Sequence, residues 1–296
     1  MSAVPFERGA SWASRSDWDG ASLEILATTL DRWQLTAGDP LAGGVSALVI
    51  AVTQADGSPA VLKLGFPHEE GVGEALGLEA YGPVLAPRVL RQDAWTWALL
   101  LERIQPGDSI LHTDLALDDA FRAACALHSA LAARPAPAGL PTLARAMSDY
   151  ATGCRGRLPR QRAALEALGV AELVHAALAE LEALAADPVS AVLLHGDFNP
   201  NNILRSNGPG GWRVIDPKPL VGDPAYDLWP LIAQLGDAPL AERIGLAARF
   251  SGLDERRLAR WGFARTGLDV SWALEDGLDA EAQATALREW SALAHP

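Results

Sequence analysis

Between Asn202 and Asp216 the chain reads as a strand, a turn and a returning strand, and this stretch constrains its folding more than any other. Residues 203–205 (ILR) form a short apolar run, 206–211 (SNGPGG) gather turn formers, and 212–215 (WRVI) run apolar again. A hairpin folded about that turn sets Ile203 opposite Ile215, give or take one residue. Asn202 and Asp216 then become neighbours at its open end, roughly 4.5–5.5 Å apart between Cα atoms as antiparallel partners are. Asp197 lies five residues before Asn202, in HGDFNPNN, and is expected on the same rim. One amide oxygen and a carboxylate suit a hard cation such as Mg²⁺, which takes oxygen ligands and leaves other positions to water and phosphate.

Taken singly these residues are uninformative. His195 alone reads as a buried, hydrogen-bonded histidine, and a histidine among carboxylates also fits a hydrolytic metal site. The spacing narrows the choice. Asp197 and Asn202 stand as the Asp and Asn of a kinase catalytic loop, D-x-x-x-x-N, where the Asp accepts the proton of the substrate hydroxyl and the Asn holds a metal ion.

HGDFNPNN followed by IDP resembles the HGD-type loop of the aminoglycoside phosphotransferase and choline kinase-like enzymes, relatives of the protein kinases. Three further stretches, IDPKPLVGDPAYDLWPL, LLLERIQPGDSI and SWALEDG, resemble their streptomycin kinase and hydroxyurea phosphotransferase branch, and the likeness runs from about residue 35 to the C-terminus. The resemblance implies an α+β, two-lobed protein-kinase-like fold: a nucleotide-binding lobe over residues 1–104, of antiparallel sheet and a helix, and a larger, mostly helical acceptor lobe over 105–296. It implies Asp197 as the catalytic group, Asn202 and Asp216 as magnesium ligands, and His195 and Asp227 as supports, Asp227 hydrogen-bonding the loop backbone.

Lys63 is a lone charge in an apolar strand, VLKL, and burying a charge is costly unless it is paired. The kinase pattern makes it the lysine that binds the α/β-phosphates and pairs with a helical glutamate. Glu74 fits that role better than Glu70 or Glu79, because it precedes an A-L-x-x-(aromatic)-G run as in the family. Gly43 and Gly44 would let backbone approach the phosphates and Ser46 would offer a hydroxyl; read alone, a glycine pair before a strand is only a turn. Glu102 to Ile104 match the hinge whose backbone holds adenine, with Leu99 and Leu101 either under the base or in the core. Lys218, two residues past the metal Asp216, reads as a γ-phosphate contact or as a surface lysine. The C-terminal helices line the acceptor pocket in this family, so Glu275 and Asp276, in an acidic cluster with Asp279, are candidate acceptor ligands; read alone, the cluster is a solvated face.

Composition trims the alternatives. The 296 residues carry 24 Lys and Arg against 37 Asp and Glu, a formal charge of −13, which argues against nucleic acid or an anionic membrane as partner and permits a cationic acceptor. Acidity alone would also be explained by solubility. No apolar run approaches the length of a membrane span, about 18 residues. The polar first twenty residues lack the apolar core of a signal peptide, and two cysteines suit a reducing cytoplasm.

Elsewhere the pattern predicts a loosely held arm or capping segment over 1–22, a helix over 23–33, a break at Gly38-Asp39-Pro40, and a hairpin of 45–53 with 60–64. Short strands follow at 87–90 and 95–104. Helices are expected at 118–133, 143–152, 160–186, from Pro224 behind an Asp223 cap, and at 240–251, 254–265, 270–275 and 280–294. The sequence thus reads as an ATP- or GTP-dependent, magnesium-dependent phosphotransferase acting on a small-molecule hydroxyl, with an antibiotic as acceptor. A metabolic kinase for a sugar, amino alcohol or amino acid derivative is the alternative, and a nucleotide-binding regulator without turnover is the other class.

Overall fold

In a computed structural model the described residues are 15–41, 47–66, 71 and 73–295. The chain divides into two compact units, one of Met1–Asp108 with Leu204–Lys218, the other of Ser109–Ile203 with Pro219–Pro296.

The first unit is built on a five-stranded sheet in the order β1-β2-β3-β5-β4, every pair antiparallel: β1 Thr36–Pro40, β2 Ala47–Thr53, β3 Pro59–Gly65, β4 Val89–Asp93 and β5 Ala98–Glu102. Alternation along β3 decides its two faces. Ala60, Leu62 and Leu64 are fully buried and pack with Ile50, Val52, Ala98 and Leu100 under Trp18, Ile25, Leu26, Leu30 and Trp33 of helix α1, Arg15–Trp33. Val61 and Lys63 therefore face the other way. On that side, helix α2, Glu74–Tyr81, supplies Glu74 from its first turn. A second sheet, order β6-β8-β9, joins β6 Pro106–Ser109 to the hairpin of β8 Ile203–Ser206 and β9 Trp212–Val214, closed by Ser206 N–H donating to the Gly211 carbonyl at 2.8 Å.

The second unit is helical: α3 Leu117–Ala132, α4 Leu143–Ala167, α5 Ala171–Ala186, α6 Pro224–Gln234, α7 Leu240–Ser251, α8 Glu255–Glu275 and α9 Glu281–Ala294, with one two-stranded ribbon of β7 Val192–Leu194 and β10 Leu220–Gly222. Helix α8 is central and packs against α4, α5, α6, α7 and α9. Its buried positions include Trp261, Phe263 and Leu268. Cys125 is fully buried in α3, and burial pushes its thiol up to about 12, as for a plain core cysteine. No helix among the described residues is long and apolar enough to cross a membrane.

Several element boundaries differ from expectation. Helix α1 begins at Arg15, inside the stretch expected to be a loosely held arm or a capping segment. The Gly-Asp-Pro stretch is strand β1, not a break. It lies at the sheet edge with a register shift between Ala37 and Pro40, where a proline costs no ladder bond. The strand expected over 95–104 begins only at Ala98, because residues 94–97 turn the chain from β4 into β5. Helix α4 runs through Pro159 and ends where Gly169 takes φ +65°, its N–H donating to the Glu166 carbonyl. Helix α8 is continuous across Gly267, which touches a neighbouring helix and does not break its own.

Candidate active site

The loop after β7 is shaped by hydrogen bonds that the second unit makes to itself. Gly196 takes φ +80°, a left-handed conformation suited to glycine. The turn aims two successive backbone donors at one carboxylate: His195 N–H reaches Asp227 Oδ2 at 2.7 Å and Gly196 N–H reaches Oδ1 at 2.8 Å. Asp227 is in place because Asp223 caps α6, accepting from Ala225 N–H at 3.0 Å with Pro224 at the first helical position. Asp223 is fully buried and takes further donors from α8, Arg257 Nε at 2.5 Å and Trp261 Nε1 at 3.1 Å.

Asp197 follows. Its side-chain Oδ1 accepts from Asn199 Nδ2 at 2.9 Å, and its carbonyl accepts from Asn202 Nδ2, also at 2.9 Å. That second bond fixes the Asn202 amide with its nitrogen inward and leaves Oδ1 as an acceptor. Asn199 also caps the 3-10 turn Pro200–Asn202 through its Oδ1 on Asn201 N–H. His195 is buried, receives Asp197 N–H on Nδ1 at 3.3 Å, and meets Phe198 edge to face at 5.8 Å.

Burial pushes Asp227 up to about 7, against the pull of the Gly196 and His195 amides and with help from the Asp197 charge. His128 of α3 stands with Nε2 3.9 Å from Asp227 Oδ2, and burial pushes it down to about 4. It is a core histidine, buried on α3.

In the first unit Lys63 Nζ donates to both oxygens of Glu74, at 2.8 and 2.7 Å, and to Asp216 Oδ1 at 2.5 Å. Asp216 itself has φ +56°. Burial works against the Lys63 charge, but the two carboxylates outweigh it and hold its pKa above the ordinary value. Glu74 is raised, because burial and the Asp216 charge together exceed the attraction of Lys63.

Glu102 ends β5 and accepts from Arg88 and Arg213, each at 3.2 Å, with Ile104 buried just after it. Lys218 is half-buried at the end of the first unit. Glu275 is held by Arg160 at 2.5 and 2.7 Å, and Asp276 is the exposed residue at the end of α8. Gly43, Gly44 and Ser46 lie outside the described residues. Sequence reading passed over Asn199, Arg257 and Trp261. Asn199 carries a local signal, an Asn two residues after an Asp where short side chains bond to nearby groups; the other two carry none.

Residues 32–277 match the family described as aminoglycoside/hydroxyurea antibiotic resistance kinase. A hydroxyurea phosphotransferase of Kitasatospora aureofaciens is 35% identical over 253 residues, covering 85% of this chain and 73% of its own. A streptomycin 6-kinase of Streptomyces glaucescens is 33% identical over 270 residues, covering 88% of this chain and 85% of its own. Among solved structures, choline kinase LicA of Streptococcus pneumoniae superposes with a TM-score of 0.65 at 15% identity, over 92% of this chain and 99% of that one. The fold is the α+β, two-lobed protein-kinase-like one, and the protein is a phosphotransferase with an alcohol group as acceptor. Within that class the chain belongs to the aminoglycoside/hydroxyurea antibiotic resistance kinases.

Proposed function

We propose that this protein transfers the γ-phosphoryl group of ATP to a hydroxyl of an antibiotic, an aminoglycoside of the streptomycin type or hydroxyurea, and so confers resistance to it in the cytoplasm. The observation that supports this most is the loop around Asp197, where Asn199 orients the carboxylate, Asn202 holds the backbone and Asp227 clamps the preceding turn. A carboxylate positioned this way accepts the proton of an attacking hydroxyl.

The donor set suits Mg²⁺. Asn202 donates through Nδ2 and so keeps Oδ1 as an acceptor, and Asp216 brings a carboxylate. Two protein ligands would leave the remaining positions of the ion to phosphate oxygens and water. Such an ion supplies charge neutralisation on the phosphates. Lys63, kept charged by Glu74 and Asp216, binds and orients the α/β-phosphates. Residues 1–104 serve the nucleotide: Gly43, Gly44 and Ser46 at the phosphates, and the Glu102 and Ile104 backbone at the base. Lys218, from beyond that lobe, reaches the γ-phosphate. Residues 105–296 serve the acceptor, with Glu275 and Asp276 near a cationic one.

Asp197→Ala is expected to lower kcat by about 10²–10⁴-fold, the usual worth of a positioned base, while Mg-ATP still binds. Asp216→Asn is expected to abolish Mg-dependent ATP binding in calorimetry. Near-normal turnover in the first variant, or unchanged Mg-ATP affinity in the second, refutes the corresponding role. A panel of streptomycin, other aminoglycosides, hydroxyurea and neutral sugars tests the acceptor.

A further inference from the structure

The β8–β9 hairpin holds both ends of the segment that follows β5. Strand β5 ends at Glu102 and β6 begins at Pro106, so residues 103–105 span the gap. At the far end, Asn207 N–H in the hairpin turn donates to the Gln105 carbonyl at 2.8 Å. At the near end, Arg213 Nη1 of β9 donates to Glu102 Oε1 at 3.2 Å, while Glu102 Oε2 accepts from the Arg88 amide and from Arg88 Nε, each at 3.2 Å. Both carboxylate oxygens are thus engaged. Burial works against the Glu102 charge, but the Arg88 amide and the Arg213 guanidinium outweigh it and hold its pKa below the ordinary value. The two arginines are not equivalent. The Arg213 side chain is 12% exposed and that of Arg88 63%. An ion pair shielded from water depends more on its partner than a solvated one does. Arg213 Nε is also buried with no hydrogen-bond partner, so the guanidinium relies on its contact with Glu102.

The same strand leads into Asp216. Val214 N–H donates to the Leu85 carbonyl at 2.8 Å, and Asp216 Oδ1 accepts from Lys63 Nζ at 2.5 Å. From Arg213 to Asp216 the chain therefore meets the end of β5, the loop after α2 and the lysine of β3 in turn. All of these groups belong to the first unit. Gly208 leaves the space that the guanidinium occupies: a Cβ there would lie 2.7 Å from Arg213 Nη2 and 3.3 Å from Ser206 Oγ.

We propose that Arg213, acting through the Glu102 carboxylate, is a positioning residue for the nucleotide: from one strand it sets the backbone of residues 102–104 and the metal ligand Asp216, so that the base and the magnesium end of ATP are placed together. The inference rests on the phosphotransferase reading of those two groups, and nucleotide binding by the parent protein tests that reading separately. The full chain is titrated with ATP in calorimetry, with and without Mg²⁺. Arg213→Gln is expected to raise the ATP Kd about tenfold without Mg²⁺, since it removes a hydrogen bond between charged groups. It should also shrink the further gain in affinity that Mg²⁺ gives the parent. Glu102→Gln should do the same, and the double variant should be no worse than the worse single one, because both remove one contact. Arg213→Lys, which keeps the charge, should recover part of the loss. Arg88→Gln, at the exposed partner, should shift the Kd less than about twofold. A fraction of inactive protein lowers the number of sites per chain and not their Kd, so poor folding of a variant does not imitate these shifts. An unchanged Kd in Arg213→Gln overturns the proposal and leaves the kinase standing, as do additive effects in the double variant. A weakened Kd with the Mg²⁺ gain intact overturns it too, because Asp216 is then set independently. A parent protein that binds no ATP overturns the phosphotransferase reading itself, and the positioning role with it.

Discussion

Asp227 and His128 have displaced pKa values of opposite sign, and their effects on stability oppose each other. Asp227 titrates at about 7 when folded and near 3.9 when unfolded, so between those values the folded state holds a proton that the unfolded state has lost. Its contribution to stability is therefore lost as pH rises from about 4 to 7. His128 titrates at about 4 when folded and near 6.5 when unfolded, so there the unfolded state holds the extra proton. Its contribution is lost as pH falls through the same range. The wild type should show little net pH dependence from this pair. Asp227→Asn should expose the histidine effect, gaining stability relative to wild type as pH rises from about 4 to 7, by at most about 1.4 kcal/mol per pH unit. His128→Gln should lose ground relative to wild type as pH rises from about 4 to 6.5. Urea unfolding at several pH values measures both, and curves parallel to wild type would rule the coupling out.

Helix α8 shows what glycine does in a helix interior. A Cβ on Gly262 would lie 2.2 Å from the Trp290 ring, and one on Gly267 would lie 2.4 Å from the Ala177 Cβ, so each residue sets how closely α9 or α5 approaches. Gly262→Ala and Gly267→Ala should each cost about 1–3 kcal/mol from overpacking, in spite of the better propensity of alanine. Gly156 in α4 has no atom within 4 Å of such a Cβ, so Gly156→Ala should stabilise by about 0.5–1 kcal/mol. Chemical denaturation of the three variants checks the contrast, and a uniform sign would contradict it. This duality is why the sequence misplaced some elements. The gap expected between helices 254–265 and 270–275 is absent because propensity is local, whereas the reason for Gly267 sits on α5. The β2–β3 hairpin was legible, since apolar alternation and an Asp-Gly turn agree over a few residues. The loop from His195 to Asn202 could be picked out as a candidate site, because its spacing alone singles it out. The support beneath it was not, because Asp223 meets Arg257 and Trp261 34 and 38 residues further along the chain.

At the scale of the whole molecule the charge of −13 favours approach of a cation and repels an anion such as ATP alike. A cationic acceptor should therefore show a KM that rises with salt, because exposed charges are screened over roughly 10 Å at 0.1 M ionic strength. A neutral acceptor should show little change, and steady-state assays from low to physiological salt separate the two. The route of the chain has a different consequence. The first unit takes Leu204–Lys218 from beyond residues 109–203, and with it Asp216, the second counter-charge of Lys63. A nascent chain leaving the ribosome cannot finish its first unit when residue 108 emerges. It must carry an incomplete β lobe, with Lys63 matched by Glu74 alone, while much of the helical unit is still being made.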